Sequence, residues 1–271
     1  MSPELLLFQS ATADRNPLGI EGAALLAQEL SSRLELPLTR IGEPGPPLDG
    51  DWKRQLACAQ PMLMRLATEL SAVMARNGLP IALLPRCAAG IATLPVITRH
   101  RPDAALVWLD AHGDLNTPQD SASGYLGGMV VAAAVGRWDS GLGGGWPLGQ
   151  VILAGARELD PAEYALVDTG APGLVPPGPD FVARLLATLG DTPCYLHLDC
   201  DVLEPGQVPT EYAVPGGLEL SQLGELATRL ASRDSVVGIQ IAEFQARWSQ
   251  DGPPVDPTAL IEALSPLFDA R

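Results

Sequence analysis

Ala104-Ala105-Leu106-Val107-Trp108-Leu109-Asp110-Ala111-His112-Gly113-Asp114 is the stretch that decides how this chain reads. Residues 104–109 are apolar and are preceded by Arg101-Pro102-Asp103. A short apolar run with such a boundary reads as a buried β-strand. At its end two carboxylates and one imidazole stand at i, i+2 and i+4. Extended backbone puts side chains at that spacing on one face. Three ligand-type groups on one face of a strand end can hold a metal ion. Taken alone, the pattern fits equally a polar strand end with a hydrogen-bonded loop histidine.

A second stretch shifts the reading toward metal. Tyr195-Leu196-His197-Leu198-Asp199-Cys200-Asp201 is another apolar run ending in carboxylates at i and i+2, with Cys200 on the opposite face. Two parallel strands that end this way form a ring of oxygen donors with one imidazole. Without a bound cation such like charges repel and push one another's pKa values up. The donor set suits Mn²⁺ better than Mg²⁺, Fe²⁺ or Ni²⁺, with Zn²⁺ a further option. Carboxylates shared between two ions make a two-metal site, in which a bridging water ionises near neutral pH.

Asp110-Ala111-His112-Gly113-Asp114 resembles the Asp-Ala-His-x-Asp motif of the arginase/agmatinase family of ureohydrolases. Asp199-Cys200-Asp201-Val202-Leu203-Glu204-Pro205 resembles that family's Asp-x-Asp-x-x-Asp-Pro motif, with Glu204 in place of the third Asp. The resemblance covers nearly the whole chain. It implies a metal-dependent amidinohydrolase with two manganese ions, whose bridging hydroxide attacks the guanidino carbon of an arginine-like amino acid. It also implies roles. Asp110 and Asp199 bridge the metals, and His112 and Asp201 complete one shell. Asp114 binds the other metal and passes a proton to the leaving nitrogen. Glu243 matches the carboxylate that meets the guanidinium. Asn116 and Ser123 match positions that bind the α-carboxylate. Asp160 and Glu163, within Arg157-Glu158-Leu159-Asp160-Pro161-Ala162-Glu163, match those that hold the α-amino group. The same two residues also suit the capping of a helix N-terminus.

Two departures from the family pattern carry information. Aligned on Pro80-Ile81-Ala82-Leu83, this chain has Leu84-Pro85-Arg86-Cys87-Ala88 where the family has Gly-Gly-Asp-His-Ser. Cys87 thus stands in place of a ligand histidine, and a thiolate is a soft ligand for Mn²⁺. Cys87 reads three ways: as a ligand, as a non-ligating neighbour, or as the mark of a lost metal. In Ser123-Gly124-Tyr125-Leu126-Gly127-Gly128-Met129 the arginase pattern is Ser-Gly-Asn-x-His-Gly. Gly127 replaces a proton-shuttling histidine, and Tyr125 replaces an asparagine that contacts the substrate's carboxylate. Within the family this combination resembles members acting on Nω-hydroxy-L-arginine, which is cleaved to hydroxyurea and L-ornithine. A hydroxyguanidine is less basic than a guanidine, so it reaches a neutral, electrophilic form with less proton management. The alternatives are hydrolysis of arginine or another guanidino compound, and a metal-poor, non-catalytic arginase-like protein. His100 and His197 are assigned to surface or packing.

Outward from the motifs, the chain alternates strand and helix. Strands are expected at 4–8, 36–41 (weakened by Pro37), 80–84, 151–154 and 236–242. Helices are expected at 19–34, 51–77, 124–135, 220–232 and 257–267, with a turn at Pro85-Arg86-Cys87 and a helix start at Asp160-Pro161. Shorter pieces fill the chain to Gly190, and 204–217 is a Pro- and Gly-rich loop. The alternation implies an α/β fold, a mostly parallel sheet in a three-layer αβα sandwich spanning residues 1–271 as one domain. In such sheets ligands bind beyond the carboxyl ends of the strands. Arg86, Cys87, residues 110–116, residues 199–201 and Glu243 all fall there.

Length and charge set the outer limits. The 271 residues fit a single α/β domain, and 46% hydrophobic content supports a sizeable core. A formal net charge of −15 argues against nucleic acid or an anionic membrane surface as partner. The expected partner is a small guanidino amino acid, with homo-oligomers a family habit. No apolar run reaches the roughly 18–20 residues of a membrane span. Met1-Ser2-Pro3-Glu4 lacks the basic start of a signal peptide, so a cytoplasmic location is expected. Cys58, Cys87, Cys194 and Cys200 fit no zinc-ribbon or CxxC spacing and are expected as free thiols.

Overall fold

The computed structural model describes residues 1–269. Strands are β1 (Pro3–Phe8), β2 (Leu38–Ile41), β3 (Leu79–Leu83), β4 (Ala105–Leu109), β5 (Val151–Ala154), β6 (Gly173–Val175), β7 (Cys194–Asp199) and β8 (Val236–Ala242). Helices are α1 (Leu18–Leu34), α2 (Trp52–Ala75), α3 (Gly90–His100), α4 (Val130–Ala134), α5 (Pro161–Val167), α6 (Phe181–Leu189), α7 (Leu220–Ala231), α8 (Thr258–Leu264) and α9 (Pro266–Asp269). The strands form one sheet in the order β2-β1-β3-β8-β7-β4-β5-β6. Every pairing is parallel.

Strand alternation divides the apolar side chains between two cores. Leu5, Leu7, Ile81, Leu83, Val107 and Leu109 pack with residues of α1, α6, α7 and α8 on one face. Leu6, Phe8, Ala82, Leu106 and Trp108 pack with α2, α3 and α4 on the other. Both faces of the sheet are covered, which is why its central strands read as unbroken apolar runs. Helix α2 shows how the helical layer is specified. Leu56, Ala59, Leu63, Leu66, Leu70 and Val73 make its buried stripe, the Asp51 side chain accepts from Arg54 N, and Asn77 ends it in left-handed backbone.

Three elements differ from expectation. Helix α3, with Pro95 inside, was not anticipated. Residues 90–97 are all buried, so the segment lacks the polar face that marks a helix in sequence. The expected helix at 124–135 shrinks to a 3₁₀ turn at Gly127–Met129 followed by α4. Gly124 at φ +64° cannot be helical, and the carbonyl of Asp114 takes the N–H groups of Val131 and Ala132. The expected helix at 257–267 divides into α8 and α9 at Pro266, whose ring removes a helical donor.

The connectivity places the functional ends side by side. After β3 the chain crosses through α3 to β4 and leaves a gap that β7 and β8 fill later. The order β3-β8-β7-β4 is therefore contiguous at the centre of the sheet. The reversal of winding there is a switch point, where a crevice opens beyond the strand ends.

Candidate active site

The crevice is a cavity of about 350 Å³. Its walls bring together every residue given a ligand or substrate role from the sequence: Cys87 after β3, Asp110, His112, Asp114 and Asn116 after β4, and Asp199 and Asp201 at the end of β7. Glu243 follows β8, and Ser123, Tyr125, Asp160 and Glu163 come from the overlying loops. Asp114 and Glu243 both adopt left-handed backbone, at φ 50° and 63°. That conformation costs a residue with a Cβ about 1–3 kcal/mol and is kept where function requires it.

The carboxylates converge on one imidazole. His112 Nδ1 lies 3.1 Å from Asp110 Oδ1 and 3.1 Å from Asp201 Oδ2, on neighbouring strand ends. Asp110 Oδ1 also accepts from His112 N at 2.7 Å, Asp201 Oδ1 from Ala111 N at 3.0 Å, and Asp199 Oδ1 from Asp201 N at 2.8 Å. Burial and then the Asp201 charge push the Asp110 carboxyl up to about 7. Burial followed by neighbouring carboxylates also raises Asp114 and Asp199 well above the usual range. Burial opposes charge on His112, but its bonds to Asp110 and Asp201 push the imidazole up to about 12. A proton on Nδ1 thus does here what a metal cation does in an oxygen-rich site: it sits between two carboxylates and offsets their repulsion.

The donor sets fit divalent metal. Asp110, His112 and Asp201 offer ligand atoms within 4.8 Å of one another, and so do Cys87, Asp199 and Glu243. Asp114 Oδ2 is buried without a hydrogen-bond partner, an acceptor with nothing to accept from. Hard oxygen donors plus one imidazole match Mn²⁺ chemistry, and the Cys87 thiol is the soft outlier. Burial and then the Asp114 charge hold that thiol well above its ordinary pKa. A cation at that set would be needed to draw the thiolate out.

The loop residues take more than one task. Glu163 accepts from Leu115 N and from Asp160 N, each at 2.8 Å, so both its oxygens hold backbone. Asp160 Oδ2 accepts from Asn116 Nδ2 at 2.7 Å, which ties the two sequence-predicted amino-acid contacts together. Ser123 Oγ accepts from Tyr125 N at 3.2 Å and shapes its own loop. A Cβ on Gly127 would lie 2.4 Å from Tyr125 Cε1 and 3.0 Å from Cys87 Sγ. The Tyr125 ring and the Cys87 thiol therefore fill the space that a larger side chain at Gly127 would need.

Several residues that meet at the site belong to no sequence motif. Arg86 is wholly buried. Its Nη1 lies 2.7 Å from Glu243 Oε2 and 2.5 Å from Glu211 Oε2, and its Nε 3.2 Å from Asp14 Oδ1. The other Glu243 oxygen accepts from Cys87 N at 3.0 Å. The carboxylate expected to meet a substrate guanidinium thus already meets one belonging to the chain. Arg86 was flagged only by its place at a strand end, and Asp14 and Glu211 lie in loops without any motif. At the rim, the Arg15 guanidinium sits 5.0 Å and 5.7 Å from the ring centres of Tyr125 and Tyr212. His197, assigned to surface or packing, is fully buried beneath the carboxylates and hydrogen-bonded to Gln240. No helix is long and apolar enough to cross a membrane among the described residues.

Comparison with known proteins agrees with this geometry. Residues 48–260 match the sequence profile described as the Arginase family. The chain is 34% identical to an N(omega)-hydroxy-L-arginine amidinohydrolase of Streptomyces lavendulae, over 98% of this chain and 97% of the relative. It is 28% identical to an arginase of Bacillus caldovelox, over 66% of this chain and 65% of the relative. Among solved structures, an Entamoeba histolytica arginase in complex with L-ornithine superposes with TM-score 0.83 at 20% identity. That match covers 98% of both chains. An arginase from Bacillus cereus superposes with TM-score 0.81 at 23% identity, over 99% of this chain and 98% of that one.

Proposed function

The chain belongs to the arginase family, and from that premise we propose that it hydrolyses Nω-hydroxy-L-arginine to hydroxyurea and L-ornithine. The observation that carries the reading is in the pocket wall, where Cys87 stands at one histidine position of the arginase pattern and the Tyr125 ring fills the space that a side chain at the other, Gly127, would need. The Streptomyces lavendulae relative, matched over nearly its whole length, supports the same substrate.

Asp110, His112, Asp114, Asp199 and Asp201 would hold manganese, with Cys87 beside them. Bound there, the metal supplies Lewis-acid activation of water and electrostatic stabilisation of the tetrahedral intermediate. The protein's own groups do the rest. Asp160, Asn116 and Ser123 receive the α-amino and α-carboxylate groups, with Arg15 adding positive charge at the rim. Glu243, held by Arg86 and by Cys87 N, keeps a fixed orientation toward the guanidino nitrogens. Water adds to the guanidino carbon and the bond from that carbon to Nδ breaks. Asp114 takes a proton from the water and returns it to Nδ, which leaves as the amine of ornithine. Because a hydroxyguanidine is less basic, this single carboxylate suffices where a guanidinium would need a further proton shuttle.

Hydrolysis of L-arginine is the second reading, favoured by Asn116, Ser123 and Asp160 gathering at the amino-acid end of the pocket. The test is ornithine release by manganese-loaded protein from each amino acid. Preference for Nω-hydroxy-L-arginine supports the proposal, and equal or better use of L-arginine contradicts it.

A further inference from the structure

Beneath the carboxylates runs a buried polar chain that the mechanism above does not use. His197 stands two residues before Asp199 on β7, so its side chain leaves the same face of the sheet. Its ring stacks on Trp108, which stands two residues before Asp110 on β4. The ring centres are 3.5 Å apart and the planes are inclined by 8°. His197 Nδ1 lies 2.6 Å from Gln240 Nε2 on β8. Gln240 Oε1 accepts from Tyr195 Oη at 3.0 Å and from Thr93 Oγ1 at 2.5 Å. Thr93, Trp108, Tyr195, His197 and Gln240 are all withdrawn from solvent. Gly90 makes room for them, since a Cβ there would come within 3.3 Å of the Gln240 nitrogen.

The hydrogen bonds set the direction of every proton. The buried Tyr195 hydroxyl donates to Gln240 Oε1, which turns the amide oxygen toward the two hydroxyls and the amide nitrogen toward the imidazole. An amide nitrogen can only donate, so His197 Nδ1 accepts. A neutral ring whose Nδ1 accepts carries its proton on Nε2. That Nε2 is buried and has no hydrogen-bond partner. A nitrogen of the same ring lies within 4.8 Å of ligand oxygens of both Asp110 and Asp199. Nδ1 is engaged by Gln240, which leaves Nε2–H as the ring's unspent donor for those carboxylates. A buried donor without an acceptor is costly, and two acceptors are close at hand.

We infer that His197 is a positioning residue of the metal centre, whose Nε2–H is the donor that the Asp110 and Asp199 carboxylates take up when they close on a metal ion. Thr93, Tyr195 and Gln240 fix the tautomer that makes this contact. The inference rests on the reading that the pocket holds metal. Outer partners of this kind orient ligating carboxylates, and their loss lowers metal affinity about 10–100-fold.

The test is calorimetric titration with Mn²⁺ of the full chain, His197→Phe and His197→Gln. The phenylalanine keeps a flat ring on Trp108 and loses the N–H, whereas the glutamine returns an N–H near the place of Nε2. The expected result for His197→Phe is affinity weakened about 10–100-fold with the number of bound ions unchanged. His197→Gln should recover most of that loss, and the metal-free variants should melt within a few degrees of the parent. Unchanged affinity in His197→Phe reduces His197 to packing and overturns the inference. Loss of one ion makes His197 a ligand and overturns it as well. No manganese uptake by the parent chain sinks the metal reading and the inference together, whereas a failure confined to the variants leaves that reading intact. A second measurement needs no variant. The ¹⁵N spectrum of the chain's three histidines should show His197 protonated on Nε2, and the opposite tautomer contradicts the assignment.

Discussion

Arg86 carries its charge without contact with solvent, between Asp14, Glu211 and Glu243. Burial is the largest influence and opposes that charge, but Glu243, Asp14 and Glu211 together with Tyr125 outweigh it, so the guanidinium stays protonated. Arg86→Met should therefore be costly, by about 3–5 kcal/mol, because it leaves Asp14 and Glu243 buried without a counter-charge. Denaturant melts of the two proteins measure this, and a loss below about 1 kcal/mol would contradict the pairing. Asp114 makes the opposite case, a carboxylate with one oxygen left unpartnered in the pocket. Asp114→Asn keeps the shape and removes the carboxylate proposed to carry the proton, so turnover should fall about 10²–10⁴-fold. Near-normal rates would remove Asp114 from the mechanism. Gly127 sets a steric condition. Gly127→Ala places a methyl 2.4 Å from Tyr125 and should cost about 1–3 kcal/mol as overpacking. The smaller Tyr125→Ala partner should recover that loss in a double variant.

At the scale of elements, α5 serves the site through its first turn. Glu163 ties the N–H of Asp160 at the helix start to the N–H of Leu115 in the loop that carries Asp114. Glu163→Ala leaves both donors unpaired and should cost about 1–3 kcal/mol. It should also raise KM for the amino acid, since the Asn116 and Asp160 pair sits on the same loop junction. A variant with unchanged melting temperature and KM would show that the junction holds without Glu163. The same scale shows where sequence reasoning succeeds and where it stops. The motif strands were legible because an apolar run that ends in spaced carboxylates has one face and one end. Helix α3 was not legible, since Pro95 and a fully apolar stretch hide helical period. Arg86 was flagged by position alone, because its three partners come from segments 14, 211 and 243 that no local pattern links. His197 looked like filler for a similar reason. Its importance lies in Gln240, on another strand, and in the face it shares with Asp199.

For the whole molecule, the site is a store of unfavourable charge placed at the centre of the sheet. Asp110 has its carboxyl raised from 3.8 to about 7, so between those values the folded chain holds a proton that the unfolded chain has lost. Stability of the metal-free protein should therefore fall as pH rises from about 4 to 7. Asp114 and Asp199 shift in the same direction and add to the fall. His112, raised from 6.5 to about 12, continues the loss above neutrality, since the folded chain alone keeps that proton there. Added Mn²⁺ should restore the melting temperature at neutral pH by displacing those protons. A melting temperature that is flat or rising across this window would contradict the placement of the carboxylates. The parallel sheet, its two apolar faces and the gathering of the motifs at one set of strand ends were all readable from alternation and spacing. The neutralising network behind Glu243 was not.

The proposed preference for a hydroxyguanidine is tested most directly by one competition assay. Manganese-loaded protein is given equal concentrations of Nω-hydroxy-L-arginine and L-arginine, and hydroxyurea and urea are measured in the same sample over time. The ratio of products is the ratio of kcat/KM values. Cys87 and Tyr125 in the pocket wall, packed into the space beside Gly127, predict a large excess of hydroxyurea, on the order of 10²-fold or more from the loss of a proton shuttle. Urea equal to or exceeding hydroxyurea would contradict it and make this chain an arginase with an altered pocket wall.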